Sequence, residues 1–120
     1  MLRSLLPTTV AIVTMCQSDA FASATLVSAD PPAGVTVHTI PTKISLTFSE
    51  RVNGHFSTIV VLDERNQRVE QGLVEAISYK SKTLSIALKP LAAGVYRVIW
   101  HAVSSDGSKS GGKYEFTVAP

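Results

Sequence analysis

The 120-residue chain predicts an all-β fold, a seven-stranded sandwich of two packed sheets. Three observations carry that expectation. Short β-rich segments recur between turn residues at roughly 8–12-residue spacing, the rhythm of sandwiches and barrels. Two segments alternate strictly: Ile44, Leu46 and Phe48 against Lys43, Ser45 and Thr47, and Leu84, Ile86 and Leu88 against Thr83, Ser85 and Ala87. A period of two puts the first set of each on a buried face and the second in water. Finally, Leu91, Ala92, Ala93, Gly94, Val95 and Tyr96 have the spacing of a tyrosine corner, in which a tyrosine opening a strand bonds back to upstream backbone. That device belongs to Greek-key sandwiches, so the architecture expected is immunoglobulin-like.

The elements follow in order. A first strand covers residues 25–29 and is ended by Asp30, Pro31, Pro32, Ala33 and Gly34, where two prolines cannot donate to a ladder. The alternating residues 43–48 form the second. Residues 58–63 are more uniformly apolar and form the third, and Glu64, Arg65, Asn66 and Gln67 turn the chain into a fourth around 68–74. The fifth, 83–88, stops at Lys89 and Pro90. Residues 95–103 and 114–118 are the sixth and seventh, joined by a polar loop over 104–112 whose three glycines permit backbone angles that other residues resist. Trp100, the only tryptophan, is expected at the centre of the core, and Tyr114, Phe116 and Val118 share one face of the last strand. No segment reads as a helix, and there is no internal repeat.

Composition fits one globular domain: 45% hydrophobic, 17% charged, net charge +2. The basic residues are scattered in ones and twos, which does not indicate nucleic acid. Residues 1–22 read as an export signal, with Arg3 as its positive start, an apolar stretch over 5–16 and a polar break at 17–19. Cleavage is expected after Ala22, reading Ala20-Phe21-Ala22, with Ala24 as the other small-x-small point. The domain then covers 23–120 and is periplasmic. Lipid attachment at Cys16 is a further alternative, although Met15 stands where a small residue is wanted. A transmembrane span needs about 20 consecutive apolar residues, and Pro7, Thr8, Thr9 and Thr14 interrupt this run. Cys16 is the only cysteine, so the mature domain has no disulfide, thiolate metal site or cysteine nucleophile.

Residues able to carry chemistry are few. Ser104, His101 and Asp106 could be drawn as a triad, but three common residues at a strand end carry little specificity, and an enzyme is not expected. Glu70 and Glu75 flank a predicted turn and read as two solvated charges. Imidazole and carboxylate are the usual ligands for copper(II) and zinc where thiols are lacking, yet His38, His55 and His101 form no His-x-His or His-x-x-x-His pair. His38 lies in a loop before Pro41, and His101 points away from the face bearing Trp100. His55, five residues after Glu50 at the mouth of a loop, is the best placed.

Four stretches resemble the CopC family of periplasmic copper-resistance proteins: Leu26-Val27-Ser28-Ala29-Asp30-Pro31 with Gly34, Leu46-Thr47-Phe48-Ser49-Glu50, residues 91–96, and residues 100–116 containing Val103-Ser104-Ser105-Asp106-Gly107. Their order and spacing match as well. The resemblance implies copper(II) held at one end of the sandwich by a histidine that begins the mature protein and by an Asp-x-His pair in the last loop, with a glutamate after a Phe-Ser pair nearby. Carried onto this chain, those positions are Ser23, Asp106 with Ser108, and Glu50; both histidines have become serine. His55 is the candidate substitute, with His101 behind it. The methionine-rich loop of members with a copper(I) site has no counterpart, since residues 61–73 contain no methionine.

The function implied is a periplasmic copper-handling, copper-resistance-type binding protein with a depleted copper(II) site, monomeric, without a small-molecule substrate, and partnered by a CopD-like inner-membrane copper protein. The alternative is a metal-free immunoglobulin-like interaction module for a membrane or periplasmic partner. Asp106 in a Ser-Asp-Gly turn is also what turn chemistry alone favours, and Glu50 at a strand end also reads as a solvated charge.

Overall fold

Eight strands pair into two four-stranded sheets in a computed structural model that describes residues 23–76 and 81–120. The expected signal at 1–22, with Cys16 and the Ala22 cleavage point, lies outside them. The strands are β1 (Leu26–Asp30), β2 (Thr36–Val37), β3 (Lys43–Phe48), β4 (Thr58–Leu62), β5 (Glu70–Ala76), β6 (Thr83–Leu88), β7 (Gly94–Val103) and β8 (Lys109–Val118). One sheet has the order β1-β3-β6-β5 and the other β2-β8-β7-β4.

The alternation legible in the sequence builds the core. In the β3–β6 pair Ile44 stands opposite Ile86 and Leu46 opposite Leu84, all buried. Facing them are Ile59 and Val61 of β4, Tyr96, Val98 and Trp100 of β7, and Phe116 and Val118 of β8. Two ring pairs lock this layer: Phe48 meets Trp100 edge-on across the sheets at 5.1 Å, and Tyr96 stacks on Phe116 at 5.6 Å. Tyr114, on the same face of β8 as Phe116 and Val118, is half-buried; burial, aided by the charge of Asp30, pushes its hydroxyl up to about 12.

The tyrosine corner is present. The Tyr96 hydroxyl donates to the Ala92 carbonyl at 2.6 Å, closing the bend that leads from β6 into β7. Tyr96→Phe leaves that carbonyl without its donor while keeping the stacked ring, so we expect a loss of about 1–2 kcal/mol. A fall in the urea midpoint with an unchanged slope would show it; an unchanged midpoint would deny the corner its role.

The strand layout departs from expectation in two places. An eighth strand, β2, pairs in parallel with the end of β8, Thr36 against Thr117 and Val37 against Val118. Two residues are too short a stretch to show a period of two, and so gave no signal. The last strand also begins at Lys109, well before Tyr114. Gly111 and Gly112 lie inside it, paired with His101 and Trp100. A Cβ on Gly112 would stand 2.8 Å from Cζ2 of Trp100, so this glycine is required by close approach of the indole.

Candidate metal centre

One end of the sandwich is assembled from four pieces of chain. The segment after β3 is held on one flank by the start of β6, with the Phe48 N–H donating to the Lys82 carbonyl at 2.8 Å and the Val52 N–H to the Ser81 carbonyl at 3.0 Å. On the other flank it is held by the end of β7: the Asn53 N–H donates to the Val103 carbonyl at 2.8 Å and the Ser105 N–H to the Arg51 carbonyl at 3.0 Å. Val52, fully buried, pins the crossing between the sheets. The amino-terminal piece packs alongside. Thr25 and Ser49 exchange bonds, N–H to Oγ at 2.9 Å and N–H to carbonyl at 2.8 Å, and Ser110 of β8 donates to the Ala24 carbonyl at 2.7 Å. Ser23 therefore leaves the fold between the strand end bearing Glu50 and the strand that follows the Asp106 loop.

Glu50, Arg51, Lys82, Ser104, Ser105 and Asp106 line an open cleft of about 400 Å³ at this end. The loop carrying Asp106 is tightly closed. The Ser104 N–H donates to the Ser108 carbonyl and the Gly107 N–H to the Ser104 carbonyl, both at 2.9 Å, with Gly107 at positive φ. Within it, one oxygen of Asp106 accepts from the Ser104 hydroxyl at 2.5 Å, the Ser108 hydroxyl at 2.5 Å and the Ser108 N–H at 3.0 Å. Ser108 is thus half-buried in a hydrogen-bond network, and Asp106 organises its own turn as side-chain capping predicts.

The histidines do not join this cleft. His55 opens onto a separate groove of about 900 Å³ between β4 and β5, which shares only Ser105 with the cleft, and its N–H donates to Asn53 Oδ1 at 2.9 Å. His38 follows β2, at the opposite end of β8 from Asp106. His101 is exposed on the outer face of β7, its Nδ1 covering the place where a Cβ of Gly111 would stand. Its ring therefore faces away from the buried Ser104, and the triad drawn from Ser104, His101 and Asp106 does not converge. Among the described residues, no group of three or more histidine, cysteine, aspartate or glutamate side chains could hold a metal ion.

Two residues went unread in the sequence. Arg51 and Lys82 line the cleft beside the carboxylates; Arg51 adjoins Glu50 in the chain, while Lys82 arrives only through the β3–β6 pairing. A third finding corrects an expectation. Glu70 and Glu75 do not flank a turn but share β5, and only Glu75 is exposed. The side chain of Glu70 is 6% exposed, with its carboxylate accepting from the Val61 N–H at 2.9 Å and from Arg68 Nε at 2.5 Å.

A Greek-key-type sandwich with a charged cleft where the amino-terminal segment meets the last loop defines a class of small β-sandwich domains. The model of the CopC domain matches residues 26–119, and the chain belongs to the CopC family. CopC from Methylosinus trichosporium OB3b superimposes with a TM-score of 0.76 at 35% identity, over 81% of this chain and 94% of that one. PcoC, a methionine-rich copper resistance protein from Escherichia coli, does so with a TM-score of 0.69 at 36% identity, over 81% and 99%. Protein YobA of Escherichia coli K12 is 35% identical over 89 residues, 73% of this chain and 72% of its own length.

Proposed function

We propose that this chain is a periplasmic copper-handling protein whose copper(II) site has lost both of its imidazoles. The observation that carries the reading is the convergence of Glu50 and Asp106 on one cleft, beside the segment that begins at Ser23. In this reading the chain is cleaved after Ala22, and the new α-amine of Ser23 joins the two carboxylates as a metal donor. Copper(II) accepts amine nitrogen and carboxylate oxygen, whereas the hydroxyls of Ser23 and Ser108 are poor substitutes for imidazole. The donor set therefore fits the metal only in part, and binding is expected to be weak. A CopD-like inner-membrane copper protein is the partner this reading calls for.

Calorimetry on chain beginning at a native Ser23 tests it. We expect saturable uptake of one copper(II) at micromolar metal, and the absence of any saturable uptake would end the idea. The pH dependence follows from the amine, whose ordinary pKa is about 7.7–8.0. Metal must displace its proton, so affinity should fall about tenfold per pH unit below that range and level off above it; an acetylated terminus should abolish the dependence.

One observation favours a second reading, that of a metal-free interaction module. The three donors on one oxygen of Asp106 give that residue a structural role in its own turn. On this reading copper leaves the melting temperature unchanged, since only a ligand that binds the folded state raises it.

A further inference from the structure

We propose that the groove between β4 and β5 is a self-association face, filled by the same face of a second copy turned about a two-fold axis. It puts a weak symmetric pair in place of the monomer expected from the sequence, and it is independent of the copper reading. β4 and β5 each end the strand order of their own sheet, so both present free edges beside the groove. They leave the turn over residues 63–68 as a hairpin, with the Asp63 N–H donating to the Gln67 carbonyl and the Val69 N–H to the Val61 carbonyl, both at 2.9 Å. β5 then crosses to β6, where Glu70 stands opposite Leu88, and the two strands part. The groove of about 900 Å³ opens where they diverge, with Ile59, Val74, Ala76 and Ile86 in its lining.

Three features of this face lack a partner. Val61 turns its N–H and carbonyl outward, to Glu70 and Val69. Orientation alternates along an antiparallel ladder, so Ile59 turns its own N–H and carbonyl the same way, into the groove, and no bond among the described residues takes them. The rims are apolar as well. Of the four large apolar side chains that are mostly exposed among the described residues, two stand here on opposite sides: Leu73 of β5, 84% exposed, lines the groove, and Phe56, 68% exposed, lies between His55 and Ser57, which line it too. An apolar patch of this kind marks an interaction face. Charge then selects the occupant. Arg68, which bonds Glu70 through Nε and stays 66% exposed, precedes β5, and the exposed Glu75 lies near its end, so the rim is positive at one end and negative at the other. A partner of uniform charge meets repulsion at one end. The same rim turned end for end presents the reverse order: each copy's Glu75 meets the other's Arg68, and each Leu73 lies over the other's groove. Such an interface is isologous and closes at two copies.

Sedimentation equilibrium on chain beginning at Ser23, with chelator present, tests it over a range from micromolar to about 1 mM protein. A small, partly polar face gives a dissociation constant of about 10–100 μM, so the mass should rise from one chain to two across that range and stop there. Leu73→Lys and Phe56→Ser should each weaken the pair about tenfold or more, as loss of an apolar anchor does. Glu75→Arg should weaken it about 2- to 5-fold, the size of an exposed charge pair. Val27→Lys, which alters an equally exposed apolar residue on β1 at the far edge of its sheet, should change nothing. All four positions are exposed, so the variants should fold, as thermal melts will verify. Hydrogen exchange at the Ile59 amide should slow as the parent is concentrated and stay constant in Leu73→Lys. A chain that remains single at 1 mM, or a mass that climbs past two, overturns the proposal. So does association that Leu73→Lys and Phe56→Ser both leave intact, that Glu75→Arg leaves unchanged, or that Val27→Lys also removes. The copper reading stands or falls separately, on the titration with metal.

Discussion

Trp100→Ala is expected to cost about 3–5 kcal/mol, the range for truncating a large buried aromatic. The indole is 7% exposed, closes edge-on against Phe48 of the opposite sheet, and lies so near Gly112 that no side chain fits there. Removing it opens a cavity that cannot be refilled by a glycine and deletes the edge-on ring contact between the two sheets. Domains of this kind have about 5–15 kcal/mol in total, and no disulfide is available to this one, so the variant should lose a large fraction of its stability. Urea unfolding followed by circular dichroism measures the loss. A loss below about 1 kcal/mol would mean that the core is not centred where we place it.

Glu70→Ala should cost about 1.5–3 kcal/mol, the range for a hydrogen bond to a charged group. Glu70 belongs to β5, at the edge of one sheet, and its carboxylate accepts the Val61 N–H of β4, at the edge of the other. A side-chain oxygen thus stands in for a neighbouring strand at a fully buried residue and joins the sheets along their open side. Arg68 is mostly exposed, so its pairing with Glu70 contributes little by itself. Glu70→Gln keeps an acceptor for Val61 and should lose less than half as much. Hydrogen exchange at the Val61 amide is the direct readout, faster in the alanine variant and near normal in the glutamine one. Equal exchange in both would show that the amide is protected by something else.

Aligning short motifs put Ser23, Glu50, Asp106 and Ser108 forward, and the fold brings Glu50 and Asp106 to one cleft. His55 was favoured because it follows Glu50 closely in sequence, but five residues span the end of the sandwich and carry it round to the β4–β5 groove. Sequence distance measures chain length, and a chain crossing between sheets changes faces within it. Lys82 shows the converse: it is remote from Glu50 in sequence and enters the same cleft because β3 and β6 are neighbours.

The glycines of the last loop divide in the same way. Gly107 is a turn glycine at positive φ, as its Ser-Asp-Gly setting indicates. Gly111 and Gly112 carry an identical local signal but sit in β8 under His101 and Trp100. Nothing local distinguishes a glycine that bends the chain from one that makes room for a ring on another strand.

From residue order alone came the class of fold, the strands that alternate, the buried faces, the tyrosine bend and the kinship with CopC, because each depends on neighbours a few residues apart or on short motifs in fixed order. The folded chain alone decided the eighth strand, the burial of Glu70, the dispersal of the three histidines and the company of Arg51 and Lys82 in the cleft. Those depend on which strands lie side by side and where their ends meet, and pairing between distant segments is a property of the whole packed core rather than of any window within it.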